Sequence, residues 1–361
     1  MTDPLYMDPL ALTEQVTRRS PIYRERFSPL ERYTSPEFKT LFRFEKHNFL
    51  LLADSLRPQL QHLGGQNRAL SPIQQLAVAL RFYATGNTQM STFSESMTSQ
   101  SCVSDTIWRV TQAVNTTYPD NVIFTTPHDV SDGFRQLCGI PNVKGALDGT
   151  HIQIEKPHIQ FNPVKYLNRK SYYSINTMLV CTSDHVITQC LAQWPGSSHD
   201  SRIFKSSAFY DTFVSGTQSG TLLADSGYAI SPFVLTPFIH PTTDREKLFN
   251  TRHKTGRVSI EQTNGEVKKR FHCVGSRMRI KLDRVPSTIR AVCVLHNLAK
   301  QWKDPVQNLP PRPREQIDYD NIHGDPGNTA PEDLTNASDN LMRQRGQRRR
   351  QDVVEYLWNN Q

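Results

Sequence analysis

Four carboxylates stand where chemistry would need them. Asp148 follows the apolar Gly145-Ala146-Leu147 inside a predicted strand, and Asp225 closes another, Leu222-Leu223-Ala224. Asp200 follows a third strand through Trp194-Pro195-Gly196-Ser197-Ser198-His199, and Glu261 lies on a predicted helix in Ser259-Ile260-Glu261-Gln262. An aspartate in or at the end of an apolar strand is costly unless paired or metal-bound, and two of them on neighbouring strands repel. A divalent cation removes that repulsion. Carboxylate oxygens are hard ligands suited to Mg2+ or Mn2+. Two such ions ~3.5–4 Å apart clamp the attacking and leaving oxygens of an in-line phosphoryl displacement. Taken singly, each acid reads as readily as a cap, a turn residue or half of a salt bridge, and Asp200 could cap a helix beginning at Ser201. Their joint placement beside the chain's basic segment favours chemistry.

That segment runs from Arg245 to Arg284 and holds twelve Lys/Arg against four acids, so it accounts for the whole net charge of +8. A local field of this size attracts a polyanion, and nucleic acid phosphate is the polyanion it fits; a solvated basic surface is the alternative. Lys268, Lys269 and Arg270 follow Glu261 on the same helix and are assigned to the DNA strand. A second basic run, Arg343, Arg345, Arg348, Arg349 and Arg350, reads as a nuclear-import signal or a DNA-contacting arm.

The elements that must position these groups follow from period and punctuation. The length of 361 residues suggests two domains plus tails at ~100–200 residues per domain. An apolar fraction of 37% implies that part of the chain is unpacked. No run of ~18 apolar residues exists, which excludes a membrane span. The Met1-Thr2-Asp3-Pro4 start argues against a secretory leader. Six cysteines without a CxxC pair make neither a disulfide framework nor a zinc module and point to a reducing compartment, cytosol or nucleus; the nucleus is the expected location, with the cytoplasm as a second.

Residues 1–34 read as a loose N-terminal segment and 35–125 as helical. Ser35-Pro36 and Ser71-Pro72 are helix starts, Pro58 ends or kinks the first helical stretch, and Gly86 closes the second. Thr92 to Met97, a polar turn at 98–101 and a helix capped by Ser104 make a helix-turn-helix pattern, with Arg109 near its exposed side; an ordinary helical hairpin is the equal alternative. From 143 the period changes. Strands are expected over 143–154, 174–182, 186–194 and 220–224, and helices over 201–214, 258–271 and 286–302, which together describe a mixed sheet covered by helices. The Pro- and Asn-rich 303–340 reads as a disordered linker, and 341–361 as a basic C-terminal tail ending in a short amphipathic helix over 352–358.

Five motifs occur in order: Gly145-Ala146-Leu147-Asp148-Gly149-Thr150-His151, Asn168-Arg169-Lys170, Trp194-Pro195-Gly196-Ser197, Ala224-Asp225-Ser226-Gly227-Tyr228 and Val292-Cys293-Val294-Leu295-His296-Asn297. Together they resemble the PIF/Harbinger transposase family over 140–302. The resemblance implies an α/β, RNase H-like catalytic core with a DDE triad of Asp148, Asp225 and Glu261, the last two separated by 35 intervening residues. It makes Asp200 a further metal ligand or a residue behind the ligands. It implies two-metal cleavage of double-stranded DNA, with strand transfer as an extension, and a Myb-like DNA-binding partner. Cutting two ends of an element would also require at least two active sites, which a homo-oligomer would supply. The third motif departs from the family's usual Glu-Arg-x-Phe-Gly, reading Glu261-Gln262-Thr263-Asn264-Gly265, which keeps the carboxylate and loses the arginine.

Two rivals stand beside the nuclease: a domesticated, catalytically silent DNA-binding adaptor, and an enzyme acting on RNA or an RNA–DNA hybrid. Arg169 and Lys170 contact backbone phosphate or form a charged turn. His151 and His199 orient a phosphate or satisfy local hydrogen bonds. His296, Asn297, Cys181 and Cys190 are expected to be structural.

Overall fold

Capping chemistry sets the first helices. The structure is a computed structural model describing residues 28–61, 69–87, 99–124, 128–305 and 337–360. After a single turn, α1 (Pro29–Arg32), α2 (Ser35–Phe42) opens with a reciprocal capping box between Thr34 and Glu37, so Thr34 rather than Ser35 is the cap. Arg43, at φ 67, ends it in the left-handed region and splits the stretch expected as one helix. α3 (Lys46–Leu60) carries Pro58 in its last turn. α4 (Pro72–Thr85) starts at a Ser71/Gln74 capping box and ends at Gly86, φ 63.

α5 (Gln100–Thr117) begins a turn earlier than its sequence suggests. The Ser99 hydroxyl accepts from the Cys102 N–H, so the amides that Ser104 would have capped are already inside the helix. The polar turn expected at 98–101 is therefore corrected: Gln100 and Ser101 are helical. Thr92 to Met97 lies outside the described residues. α6 (His128–Cys138) then leads into the sheet.

The strands are β1 (Val143–Gln153), β2 (Ser174–Cys181), β3 (Ile187–Pro195), β4 (Thr221–Leu223) and β5 (Val234–Leu235). Their order is β3-β2-β1-β4-β5. β1, β2 and β3 pair antiparallel, whereas β4 runs parallel to β1 and to β5. Between β3 and β4, α7 (Asp200–Lys205) and α8 (Ala208–Val214) replace the single helix expected there, because the Ser207 side chain caps a second start. α9 (Asp244–Arg270) is far longer than the expected 258–271; its first half is polar and shows no apolar stripe, but Thr243 and Glu246 box its N-terminus. α10 (His272–Gly275) and α11 (Val285–Gln301) follow, and α12 (Ala337–Asn359) forms a 23-residue helix where a tail with a short terminal helix was expected.

Strand pleating divides the sheet into two faces. Ala146, Ile152, Leu179, Cys181, Leu223 and Leu235 join one core with α2–α6, α9 and α11. Leu147, Met178, Val180, Leu222, Ala224 and Val234 join a second core with α7 and α8. The helices of 35–117 thus share a core with the sheet. A buried polar knot fastens that arrangement: the Asp304 carboxylate accepts from Glu45 N and Asn48 Nδ2, each 2.9 Å, and pairs with Lys39 Nζ at 3.1 Å. Arg270 donates to the backbone carbonyls of Arg43, at 2.6 Å, and of Asp304.

Candidate active site

The strand register brings two of the acids together. Ala146 pairs with Leu223 across β1 and β4, so two residues further along each chain Asp148 and Asp225 become neighbours. Pleating puts Asp148 on the face of Ala146 and Asp225 on the face of Leu223, which is the face covered by α9. α9 lies close there because Gly256 has no side chain: a Cβ would stand 2.4 Å from Leu223 Cδ1. That approach sets the next turns of α9 over β1. Arg257 Nη2 lies 3.7 Å from Asp148 Oδ1 and 3.5 Å from Glu261 Oε1. Asn264 Nδ2 donates to Asp148 Oδ2 at 3.5 Å, and Lys268 Nζ to Thr150 Oγ1 at 2.7 Å.

Asp200 reaches the site from the other face. Its carboxylate fills the space over Gly149, where any Cβ would lie 2.4–2.5 Å from it, and accepts from Asn176 Nδ2 at 2.6 Å. It occupies the first position of α7 and spends its oxygens on Asn176 rather than on a cap, which corrects that alternative. By the pleat, Asp148 and Asp200 flank β1 from opposite sides.

Burial sets the electrostatics. It pushes the Asp148 carboxyl up to about 7; the Arg257 charge opposes that rise, and Asp225, Asp200 and Glu261 add to it. Asp200 is raised for the same first reason, with the Asn176 hydrogen bond acting against it. Burial, then the neighbouring acids, hold the Tyr228 phenol well above its usual range. Asp225 Oδ1 accepts from Gly227 N at 3.0 Å, closing the turn after β4.

Of the residues assigned to DNA, Arg169 and Lys170 are exposed in the loop between β1 and β2, Lys269 is exposed on α9, and Arg109 is exposed on α5 within 3.4 Å of Gln75 Oε1. Arg270 is corrected: at 1% exposure it belongs to the Asp304 knot, because the last turn of α9 points it inward. Lys268 is likewise turned in, toward Thr150. The Asn168 side chain is buried, accepting from Lys170 N and Tyr172 N and so shaping the turn that presents Arg169 and Lys170. His151 Nδ1 meets Ser174 Oγ at 3.0 Å. His296 bonds the His185 carbonyl and Asn297 the Ile187 backbone, both structural as expected. Cys181 is buried and Cys190 half-buried.

Sequence reasoning missed Arg257 and Asn176, and gave Tyr228 only a place in a motif and no role. The i,i+4 spacing of Arg257 and Glu261 was the available signal for the first. Asn176 is visible only through the register that places it opposite His151, beside Gly149.

Do these residues suit a divalent cation? As the side chains stand, no group of three His, Cys, Asp or Glu among the described residues closes on a single point. The donor chemistry nevertheless fits. Four carboxylates gather around β1, and the buried oxygens Asn264 Oδ1, Asn176 Oδ1 and Tyr228 Oη beside them lack a hydrogen-bond partner. Hard oxygens in a partly desolvated, like-charged cluster are what Mg2+ or Mn2+ satisfies.

Residues 147–297 match the family model described as DDE superfamily endonuclease. The chain is 29% identical over 302 residues to HARBI1 of Rattus norvegicus, a candidate nuclease by name, covering 80% of this chain and 86% of that one. It is 27% identical over 300 residues to HARBI1 of Homo sapiens, covering 80% and 85%. It is also 27% identical over 300 residues to the Arabidopsis thaliana protein named antagonist of like heterochromatin protein 1, covering 75% and 74%. No solved structure matches.

Proposed function

We propose that this chain, which carries a DDE superfamily endonuclease domain and is homologous to HARBI1 as expected of a PIF/Harbinger-type DDE protein, is a metal-dependent DNA endonuclease. The observation that carries the reading is that the register of β1 and β4 sets Asp148 and Asp225 side by side on the sheet face covered by α9, which also carries Glu261. Burial raises the Asp148 carboxyl, and Asp225, Asp200 and Glu261 add to that rise. The strand order, with β4 parallel to β1 beside an antiparallel hairpin pair, supports the RNase H-like reading of the core.

In this reading Asp148, Asp225 and Glu261 hold the cations, and Asp200 braces β1 from behind through Gly149. Bound Mg2+ or Mn2+ would polarise the phosphodiester and lower the pKa of the attacking water or 3′-hydroxyl. Asn264 orients Asp148. Arg169, Lys170 and Lys269 contact phosphates, and the exposed edge of α5 near Arg109 lies along the duplex. Strand transfer uses the same residues with a DNA 3′-hydroxyl as nucleophile. A Myb-like partner, a homo-oligomer and a nuclear location complete the proposal.

A second reading draws on the Arabidopsis relative, whose name describes antagonism of a heterochromatin protein. Arg257 stands among the acids, as a silent adaptor's would. Plasmid nicking separates the two. With Mg2+ or Mn2+ the purified protein is expected to nick supercoiled DNA. Asp148→Asn, Asp225→Asn and Glu261→Gln are each expected to lower the rate by about a thousandfold or more while leaving DNA binding intact. Absence of nicking with either ion, on duplex and hybrid substrates alike, would leave the adaptor.

A further inference from the structure

The loop joining β1 to β2 exposes apolar side chains that the site above does not use. Ile159 is 81% exposed, Val164 74% and Phe161 43%. They lie on two successive 3-10 turns, Ile159–Phe161 and Pro163–Tyr166, with Asn162 at φ 51 between them. Apolar side chains this exposed and this close together mark an interaction surface.

The loop is fixed to the site. Ser197 N donates to the Lys165 carbonyl at 3.1 Å, which ties the loop to the segment delivering Asp200. Leu167 bridges Tyr173, and Asn168 Nδ2 donates to Ser174 Oγ at 3.1 Å. Charge identifies the occupant. Lys156, Lys165, Arg169 and Lys170 are exposed in the same loop, while the loop's acid, Glu155, is taken up by Arg279 at 3.2 Å and Arg277 at 3.9 Å. A nucleic acid offers phosphates to these cations and base faces to the apolar side chains, and the loop is tied to the segment that delivers Asp200.

We infer that Ile159, Phe161 and Val164 form a wedge that enters the substrate duplex and unstacks a base step beside the cleavage point. The inference rests on the nuclease reading for its ligand and adds that the duplex is bound bent. Apolar wedges flanked by cations open and kink DNA in this way, trading base stacking for a larger contact surface.

The test uses full-length protein in EDTA, where binding is read without cutting. Fluorescence anisotropy compares a matched 30-mer duplex with the same duplex carrying one abasic step. Because the abasic step is already unstacked, wild type is expected to bind it on the order of tenfold more tightly. The Ile159→Ser/Phe161→Ser/Val164→Ser variant, altered only at exposed positions, is expected to bind both duplexes equally and to keep the wild-type salt dependence. 2-Aminopurine placed at successive positions of the duplex is expected to brighten at one step, and only with wild type. The wedge is overturned if the variant keeps the preference, if wild type shows none, or if light scattering shows that the substitutions change only the number of protomers. Binding without preference removes the wedge and leaves the nuclease; failure to bind any DNA removes both.

Discussion

Arg257 is the cation among the acids. Its guanidinium lies within 3.7 Å of Asp148 and 3.5 Å of Glu261, with only 12% of its side chain exposed. It does part of what a metal ion would do for those two carboxylates. Arg257→Gln is therefore expected to lower metal-free stability by about 1–3 kcal/mol, less than for a fully buried tight pair because these contacts are long. The same change removes a competitor and is expected to tighten Mn2+ binding, read by calorimetry. Asp148→Asn runs the other way: it relieves a desolvated charge beside three acids and is expected to raise the melting temperature of metal-free protein while removing activity. A purely structural Asp148 would show the opposite sign. At this scale the acids were legible because carboxylates in apolar strands are costly. Arg257 was not, because one arginine among twelve basic residues of its segment carries no signal until the helix is laid on the sheet.

Among the elements, α9 carries most of the consequence. It holds Arg257, Glu261, Asn264 and Lys268 over β1, and it buries His253, whose Nε2 meets the Leu235 carbonyl at 3.0 Å. Burial pushes His253 down to about 4. Above pH 6.5 the ring is neutral in folded and unfolded chains alike and contributes no pH dependence. As pH falls from 6.5 toward 4 only the unfolded chain gains the proton, so stability drops by up to ~3 kcal/mol. Because the raised Asp148 carboxyl contributes in the opposite sense over this window, the slope is read as the difference in denaturant midpoint between wild type and His253→Gln from pH 7 to pH 4.5. The first four strands were readable to within a residue or two because β-branched runs and their turns are local signals, whereas β5, only Val234–Leu235, is too short to carry a period. The polar first half of α9 was not, because burial of a few residues among many charges leaves no stripe; only the Thr243/Glu246 box announced its start. The early onset of α5 followed from Ser99 outcompeting Ser104 as cap, a choice that sequence leaves open when both are serine.

At the scale of the whole molecule, the basic run expected in a tail sits on a docked helix. The α12 side chain Arg350 stacks over Phe238 at 3.8 Å and bonds the carbonyls of Thr236 and Pro237, and Arg245 joins Glu355 at 2.7 Å. Arg343, Arg345 and Arg348 remain exposed on the same helix. If these three meet phosphate, replacing them by alanine lowers the slope of log K against log salt by ~2–3, measured on any duplex; an unchanged slope assigns them elsewhere. The expected division between a helical region and a catalytic core is not one of packing, since Phe38, Phe49, Val110 and Ile152 belong to one core. A fragment of 140–302 alone is therefore expected to lose cooperative unfolding in calorimetry.

The Asp304 knot also bears on how the chain is made. Glu45 leaves the ribosome 259 residues before the carboxylate that its amide will bind, roughly 10–50 s earlier at ~5–20 residues per second. Through that interval Lys39 and Asn48 stand without the carboxylate that closes the knot, so the first helices take up their final polar contacts only after the chain has been made as far as residue 304.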